Sequence, residues 1–196
     1  NLIQGFTGYV SIAQAGFMGI GAYSSTLLSV KLGWPVWFTM AAAPLMTAAL
    51  AVLAGYPSLR VKGHYFAIVT LAYNMVIFIV LTTWSSLTGG EAGISNVPRP
   101  PDVSIVGFVW SLGDRVGYYY LALIVAALAT LLCALILHSR VGRVLVAIRQ
   151  NEALIEAAGV QSWRYKLFAF VVSASLAGLA GALYAHFIGF LNPDAF

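Results

Sequence analysis

The chain has 196 residues, of which 61% are hydrophobic and only 8% charged, with a mean hydropathy of +0.89. Soluble globular domains carry about a quarter of their residues as charged side chains, so this composition excludes a water-solvated exterior and fits a polytopic bundle in lipid. The net charge of +4 is no nucleic-acid signal, and its distribution between loops matters more than its sum.

The first residues, NLIQGFTGYV, read as the end of an earlier helix or a broken, re-entrant piece. The chain starts at Asn1 without a methionine and stops at Phe196 just after a Pro-Asp turn signal, which reads as a fragment or processed chain lacking material at both ends. No basic region followed by a short apolar core opens it, so no signal peptide is expected. A spanning helix needs about 20 mostly apolar residues. A short, Gly-rich candidate covers 12–30, and four clear ones cover 36–55, 64–83, 118–138 and 167–190. The expected fold class is therefore all-α: a polytopic transmembrane helical bundle of about five spans, after a short broken or re-entrant N-terminal piece.

The segment 5–22 carries Gly5, Gly8, Gly16, Gly19 and Gly21 with Ser11 and Gln14. That is more glycine than a static spanning helix needs, and broken helices near the midplane expose backbone groups to substrates. Ser11, Gln14 and Gly19 are thus candidates to line a substrate path, with Asn74 read the same way, and interhelical hydrogen bonding is the alternative for the polar three. An unpaired Gln amide in hydrocarbon would cost roughly 2–7 kcal/mol, so Gln14 faces protein or water.

Loop 84–117 is the longest. Its Gly, Pro and Ser rule out one continuous helix, and SIVGFVW fits a short strand or an interfacial segment with Trp110 at the headgroups. Thr88, Gly89 and Gly90 begin it directly beside a span, either as a surface turn or as part of the substrate path. Cys133 stands alone in an apolar run and reads as an inert core thiol; no His or Cys partner has metal-ligand spacing, so neither metal nor cofactor is expected. His64 and His186 fall near opposite ends of their spans and are expected at the interfaces, while His138 closes a span.

One set of alternate loops holds Lys31, Arg99 and Arg115, and the other holds Arg60, Lys62, Arg140, Arg143, Arg149, Arg164 and Lys166. The positive-inside rule places the second set in the cytoplasm. Seven of the 16 charged residues fall within 139–166 alone. On a helical wheel over 144–158, Val144, Ile148, Leu154, Ile155 and Ala158 share one face, and Arg149, Glu152, Ala153 and Glu156 the other. This predicts one short amphipathic helix across the cytoplasmic end, stopped by Gly159. Glu152 and Glu156 sit four apart and repel, which suits a pair presented to a cationic partner surface. In the last span, Ser173, Ala177, Gly181 and Ala185 recur every four residues, with Ala174, Gly178 and Ala182 alongside. This ridge allows close helix approach, as ordinary packing or as a sliding surface.

Several blocks in order resemble the LivM-type permeases of branched-chain amino-acid ABC importers. They are Ala147-Ile148-Arg149, Asn151-Glu152, Ala157-Ala158-Gly159-Val160, Arg164-Tyr165-Lys166-Leu167 and Leu176 through Tyr184. Upstream, GFTGYVSIAQAGFMGIGAY, Leu59-Arg60 with Ala67 through Ala72, and Leu87-Thr88-Gly89-Gly90 with Gly93-Ile94 match further segments. The resemblance runs nearly end to end. It implies a single, incomplete permease domain over 1–196, multi-pass in a bacterial inner membrane, without a catalytic site. It implies that 145–159 is a coupling helix seated on an ATPase subunit, with Arg149, Glu152, Glu156, Ala157 and Gly159 making the contact. The implied partners are ATP-binding cassette subunits, a second homologous permease forming a heterodimer, an extracytoplasmic substrate-binding protein and the lipid bilayer. The implied cargo is a branched-chain or related amino acid, with urea, amides or other amino acids as the alternative within the family. A membrane enzyme is disfavoured by the lack of H-E-x-x-H, G-x-S-x-G or a buried Asp pair. An ATP-independent secondary transporter or channel is the rival of another class. No Walker A motif occurs, so ATP hydrolysis is left to a partner.

Overall fold

A computed structural model describes the chain except residues 1, 10, 60, 62, 63, 106, 107, 111 and 112, together with the side chains of 2, 64, 103–105 and 108–110. Arg60 and Lys62, two of the seven cations assigned to the cytoplasmic loops, lie outside the described residues, as do the side chains of His64 and Trp110.

A π-helical turn, Leu2–Thr7, opens the chain and is followed by α1 (Gln14–Val30), α2 (Val36–Ser58), α3 (His64–Thr83) and the single turn α4 (Ser85–Thr88). The loop beyond holds β1 (Ile94–Ser95), β2 (Val103–Ile105) and β3 (Phe108–Trp110). Then come α5 (Arg115–His138), α6 (Arg140–Gln150), α7 (Glu152–Ala157), α8 (Ser162–Ile188) and β4 (Phe190–Leu191). Of the segment SIVGFVW, residues 104–105 belong to β2 and 108–110 to β3, and these two strands pair antiparallel.

Helix α2, residues 65–83 of α3, α5 and α8 are long and apolar enough to cross a membrane. The architecture is all-α and polytopic. Helix α1 has 17 residues, about 25 Å at 1.5 Å per residue, and the bundle closes around it. It is flanked by α8 and α2, with α3 on a further side. The Gly-rich sequence explains this placement. A Cβ on Gly21 would strike the backbone of Gly178, one on Gly181 would strike the Met18 carbonyl, and one on Gly178 would strike the Thr47 side chain. Backbones this close gain packing that larger side chains would forbid.

The core draws on the same helices and on α3. Phe17, Phe66 and Phe170 stack edge to face, with centroids 5.4 Å apart for Phe17–Phe170 and 6.1 Å for Phe66–Phe170. Ile3, Ala13, Ala51, Leu59 and Ala174 pack around them. Helix α5 stands apart from this core, and no residue of its apolar window is buried.

At one end of the bundle lie the π-turn, α6 and α7. At the other, β1 pairs antiparallel with β4, and the Val97 amide donates to the Gly189 carbonyl at 3.1 Å. These bonds fold the long loop over the end of α8 and correct the expectation for His186. Instead of sitting at an interface it is completely buried, with Nδ1 2.7 Å from the Pro98 carbonyl and Nε2 2.8 Å from Ser25 Oγ. A carbonyl can only accept, so Nδ1 carries the proton. His138 closes α5 as expected, donating from Nδ1 to the Ala134 carbonyl at 2.8 Å.

Candidate functional site

The single amphipathic helix expected over 144–158 is two helices. Asn151 takes an extended conformation (φ −158°, ψ 97°), and its side chain accepts from the Leu154 amide at 3.1 Å. Asparagine offers the backbone this local alternative, so α6 stops and α7 starts afresh in a new direction. The wheel therefore fails beyond residue 150. Leu154, expected on the covered face, is 67% exposed. Glu152, expected at the surface beside Glu156, points inward.

What Glu152 meets there is the main polar cluster at this end. Lys166 is only 2% exposed. Its ammonium lies 2.5 Å from Glu152 Oε1, donates to Tyr9 Oη at 2.8 Å and sits 4.3 Å from the Tyr9 ring centroid. The Tyr9 hydroxyl in turn donates to Glu152 Oε2 at 2.8 Å. Ser162 Oγ reaches Glu152 Oε1 at 3.2 Å and also Glu156 Oε1; with one hydroxyl hydrogen it serves one carboxylate at a time. Burial pushes the Glu152 carboxyl up, but hydrogen bonds from Lys166 and Tyr9, the lysine charge and Ser162 outweigh it and hold the group below its ordinary value. Arg149 makes a parallel tie: Nη1 donates to the Gly5 carbonyl at 2.5 Å, and its stem runs past Gly8.

The remaining residues expected at the ATPase contact are exposed. Glu156 and Ala157 lie on α7, and Gly159 follows it with φ +83°. The Gly159 amide donates to the Glu156 carbonyl at 3.0 Å and the Val160 amide to the Ile155 carbonyl at 3.2 Å. These are the bonds of a left-handed helix stop.

The substrate-path candidates do not form one site. A break, described at residues 8, 9 and 11–13, separates the π-turn from α1. There Gln14 Nε2 donates to Ser173 Oγ at 3.1 Å, the Gly16 amide to Asn74 Oδ1 at 2.6 Å and the Ile12 amide to Thr70 Oγ1 at 3.1 Å. Gln14 and Asn74 thus make interhelical or helix-to-backbone bonds. Ser11 Oγ is buried beside them without a hydrogen-bond partner among the described residues. Gly19 lies farther along α1, against Leu81 and Phe196. Thr88 is at the opposite end of the bundle, its hydroxyl 2.7 Å from the Leu81 carbonyl and 2.8 Å from that of Trp84, and it accepts from the Gly90 amide at 3.3 Å. Gly89 and Gly90 complete this turn with φ of 76° and 60°. A separate apolar groove of about 600 Å³ runs between α5 and α8, past Ala122, Ala126, Leu179 and Leu183.

Tyr9, Ser162 and Lys166 were missed as functional positions. A signal for Lys166 was present in the spacing: Ser162, Lys166, Phe170, Ala174, Gly178, Ala182 and His186 recur every four residues along α8, and every one is buried. A lysine on such a stripe faces the interior.

Comparison with known proteins now gives this architecture a family. The model of the branched-chain amino acid transport system permease component matches residues 1–196. The chain is 34% identical over its full length to the high-affinity branched-chain amino acid transport system permease protein LivM of Escherichia coli, of which it covers 50%. It is 26% identical to LivH of Salmonella typhimurium, with 98% of the chain and 66% of the relative covered. It is 22% identical to the guanosine ABC transporter permease protein NupQ of Bacillus subtilis, with 91% and 59% covered. No solved structure matches the chain. It spans about half the length of the LivM permeases it matches. A full-length family match, on a bundle with four helices able to cross a membrane, makes this chain a multi-pass membrane protein that belongs to the permease-component family of branched-chain amino acid transport systems.

Proposed function

We propose that the chain is part of the membrane-spanning permease subunit of an ABC importer, carrying branched-chain amino acids inward across a bacterial inner membrane, with ATP hydrolysed on a separate subunit. The observation that carries this reading is the α6–α7 segment. It stands at the end of the bundle with Leu154 uncovered, Glu156 and Ala157 exposed beside it, and no buried residue of its own in α7. An exposed leucine on a short helix flanked by charges suits docking into a cleft of another protein. The cytoplasmic placement of this end rests on Arg140, Arg143, Arg149, Arg164 and Lys166. LivM-like and LivH-like relatives are consistent with two homologous permeases side by side, fed by an extracytoplasmic binding protein. Arg149, Ala157 and Gly159 then shape or border the ATPase contact.

A second reading concerns cargo alone. A relative named for guanosine favours a frame that also accommodates nucleosides, as urea, amides or other amino acids would be within the same family.

The test is substrate-stimulated ATPase activity of the assembled complex. Leu154→Asp places a charge where an apolar contact is needed. Gly159→Val forces a branched side chain into φ +83°, a backbone cost of about 1–3 kcal/mol. Each is expected to lower stimulation at least tenfold with assembly of the transmembrane subunits intact. Stimulation equal to wild type in both would remove the coupling role, and ATP-independent uptake would favour a secondary carrier.

A further inference from the structure

We propose that Lys166, Tyr9 and Glu152 are positioning residues through which the α6–α7 segment acts on the break ahead of α1, described at residues 8, 9 and 11–13; this rests on the ATPase-coupled reading above.

Helix α7 has six residues and buries none of them. Apolar packing therefore does little to fix its place on the body of the protein, and its side-chain bonds carry more of that task. Glu152 supplies them. One carboxylate oxygen meets Lys166 and the other meets Tyr9. Lys166 belongs to α8, whereas Tyr9 belongs to the break itself, next to Gly8 at φ +74°. The Tyr9 hydroxyl accepts from Lys166 and donates to Glu152, so it joins break, α7 and α8. Charge-assisted bonds inside a poorly solvated cluster are roughly twice as strong as neutral ones.

On its other side, the break and the start of α1 hold to the bundle by neutral bonds: Ile12 to Thr70, Gly16 to Asn74, Gln14 to Ser173. Tyr9 is therefore held by charged bonds, to Glu152 of α7 and to Lys166 in the first turns of α8, while the following residues are held to the spans by neutral ones. A displacement of α7 that carries Glu152 and Lys166 with it is thus passed to the break through Tyr9. Arg149, bonded to the Gly5 carbonyl, moves the preceding π-turn in the same sense. The buried, unpartnered Ser11 hydroxyl lies within the stretch that moves.

The experiment uses the full-length permease assembled with its ATPase subunits. Cys133 is replaced by Ala, and a single cysteine carrying an environment-sensitive fluorophore is placed at Ile12 or at Leu154, both exposed. Mg-ATP is expected to shift both probes. Tyr9→Phe removes the shared hydroxyl but keeps the ring contact to Phe66, 5.4 Å between centroids, so the fold is preserved. In this variant the Leu154 shift is retained while the Ile12 shift falls at least tenfold, as loss of the hydroxyl's two hydrogen bonds to charged groups predicts. An Ile12 response equal to wild type in Tyr9→Phe, or absent in wild type while Leu154 responds, overturns the proposal and leaves the importer reading standing. Silence of both probes overturns the ATP-coupled reading and this one with it.

Discussion

Lys166 shows how burial changes the meaning of a charge. As a loop cation beside a helix start it is one more residue obeying the positive-inside rule. At 2% exposure it must be compensated, because removing one member of a buried pair costs about 3–5 kcal/mol. Glu152 provides the compensation and its carboxyl is held below the ordinary value of 4.5. A group whose folded value is depressed contributes stability above its unfolded value and loses it as pH falls through the folded one. Thermal unfolding of the detergent-solubilised protein should therefore show Glu152→Gln less stable than wild type at pH 7, with the gap closing below pH 4.5; a gap independent of pH would deny the ion pair. The carboxylate itself stood out in the sequence as half of an exposed pair with Glu156, but its direction did not. Direction depended on Asn151 interrupting the helix, and a wheel drawn through 144–158 assumes no interruption.

Among the elements, the helices that carry the protein were legible because twenty-residue apolar runs leave few alternatives in lipid. The two ends of α8 were not. Its apolar run suggests 167–190, yet the helix covers Ser162–Ile188, because Ser162 and Lys166 find partners that let a polar first turn be buried. At the far end, His186 is covered by a loop whose strand pairing spans residues 94 to 191, a contact no local pattern announces. The glycines of α8 were visible as a small-residue ridge and those of α1 as the mark of a broken helix, whereas Gly21, Gly178 and Gly181 serve close helix contact. Gly181→Ala should push α1 from α8 at the Met18 carbonyl and lower resistance to denaturing detergent by about 1–3 kcal/mol. Gly113→Ala, with open space around it, should leave resistance unchanged. Equal behaviour of the two variants would mean that α1 and α8 are not in contact at this level.

For the whole molecule, two unequal parts emerge. Helices α1, α2 and α8 interlock through small residues, and Phe17, Phe66 and Phe170 join α1, α3 and α8. Helix α5 leans outward with Leu123, Leu128, Leu131 and Leu135 exposed, a surface suited to lipid or to further helices. Between them α6 and α7 link the outlying span to the interlocked group and place Leu154 beyond both. In the proposed account this link is where a nucleotide-driven partner takes hold. The most direct measurement is photocrosslinking from a probe at Leu154 in the complete, transport-active complex. The account predicts an adduct with the P-loop ATPase subunit whose yield changes with bound nucleotide. Adducts confined to lipid or solvent, while ATP-driven uptake of leucine continues, would contradict it.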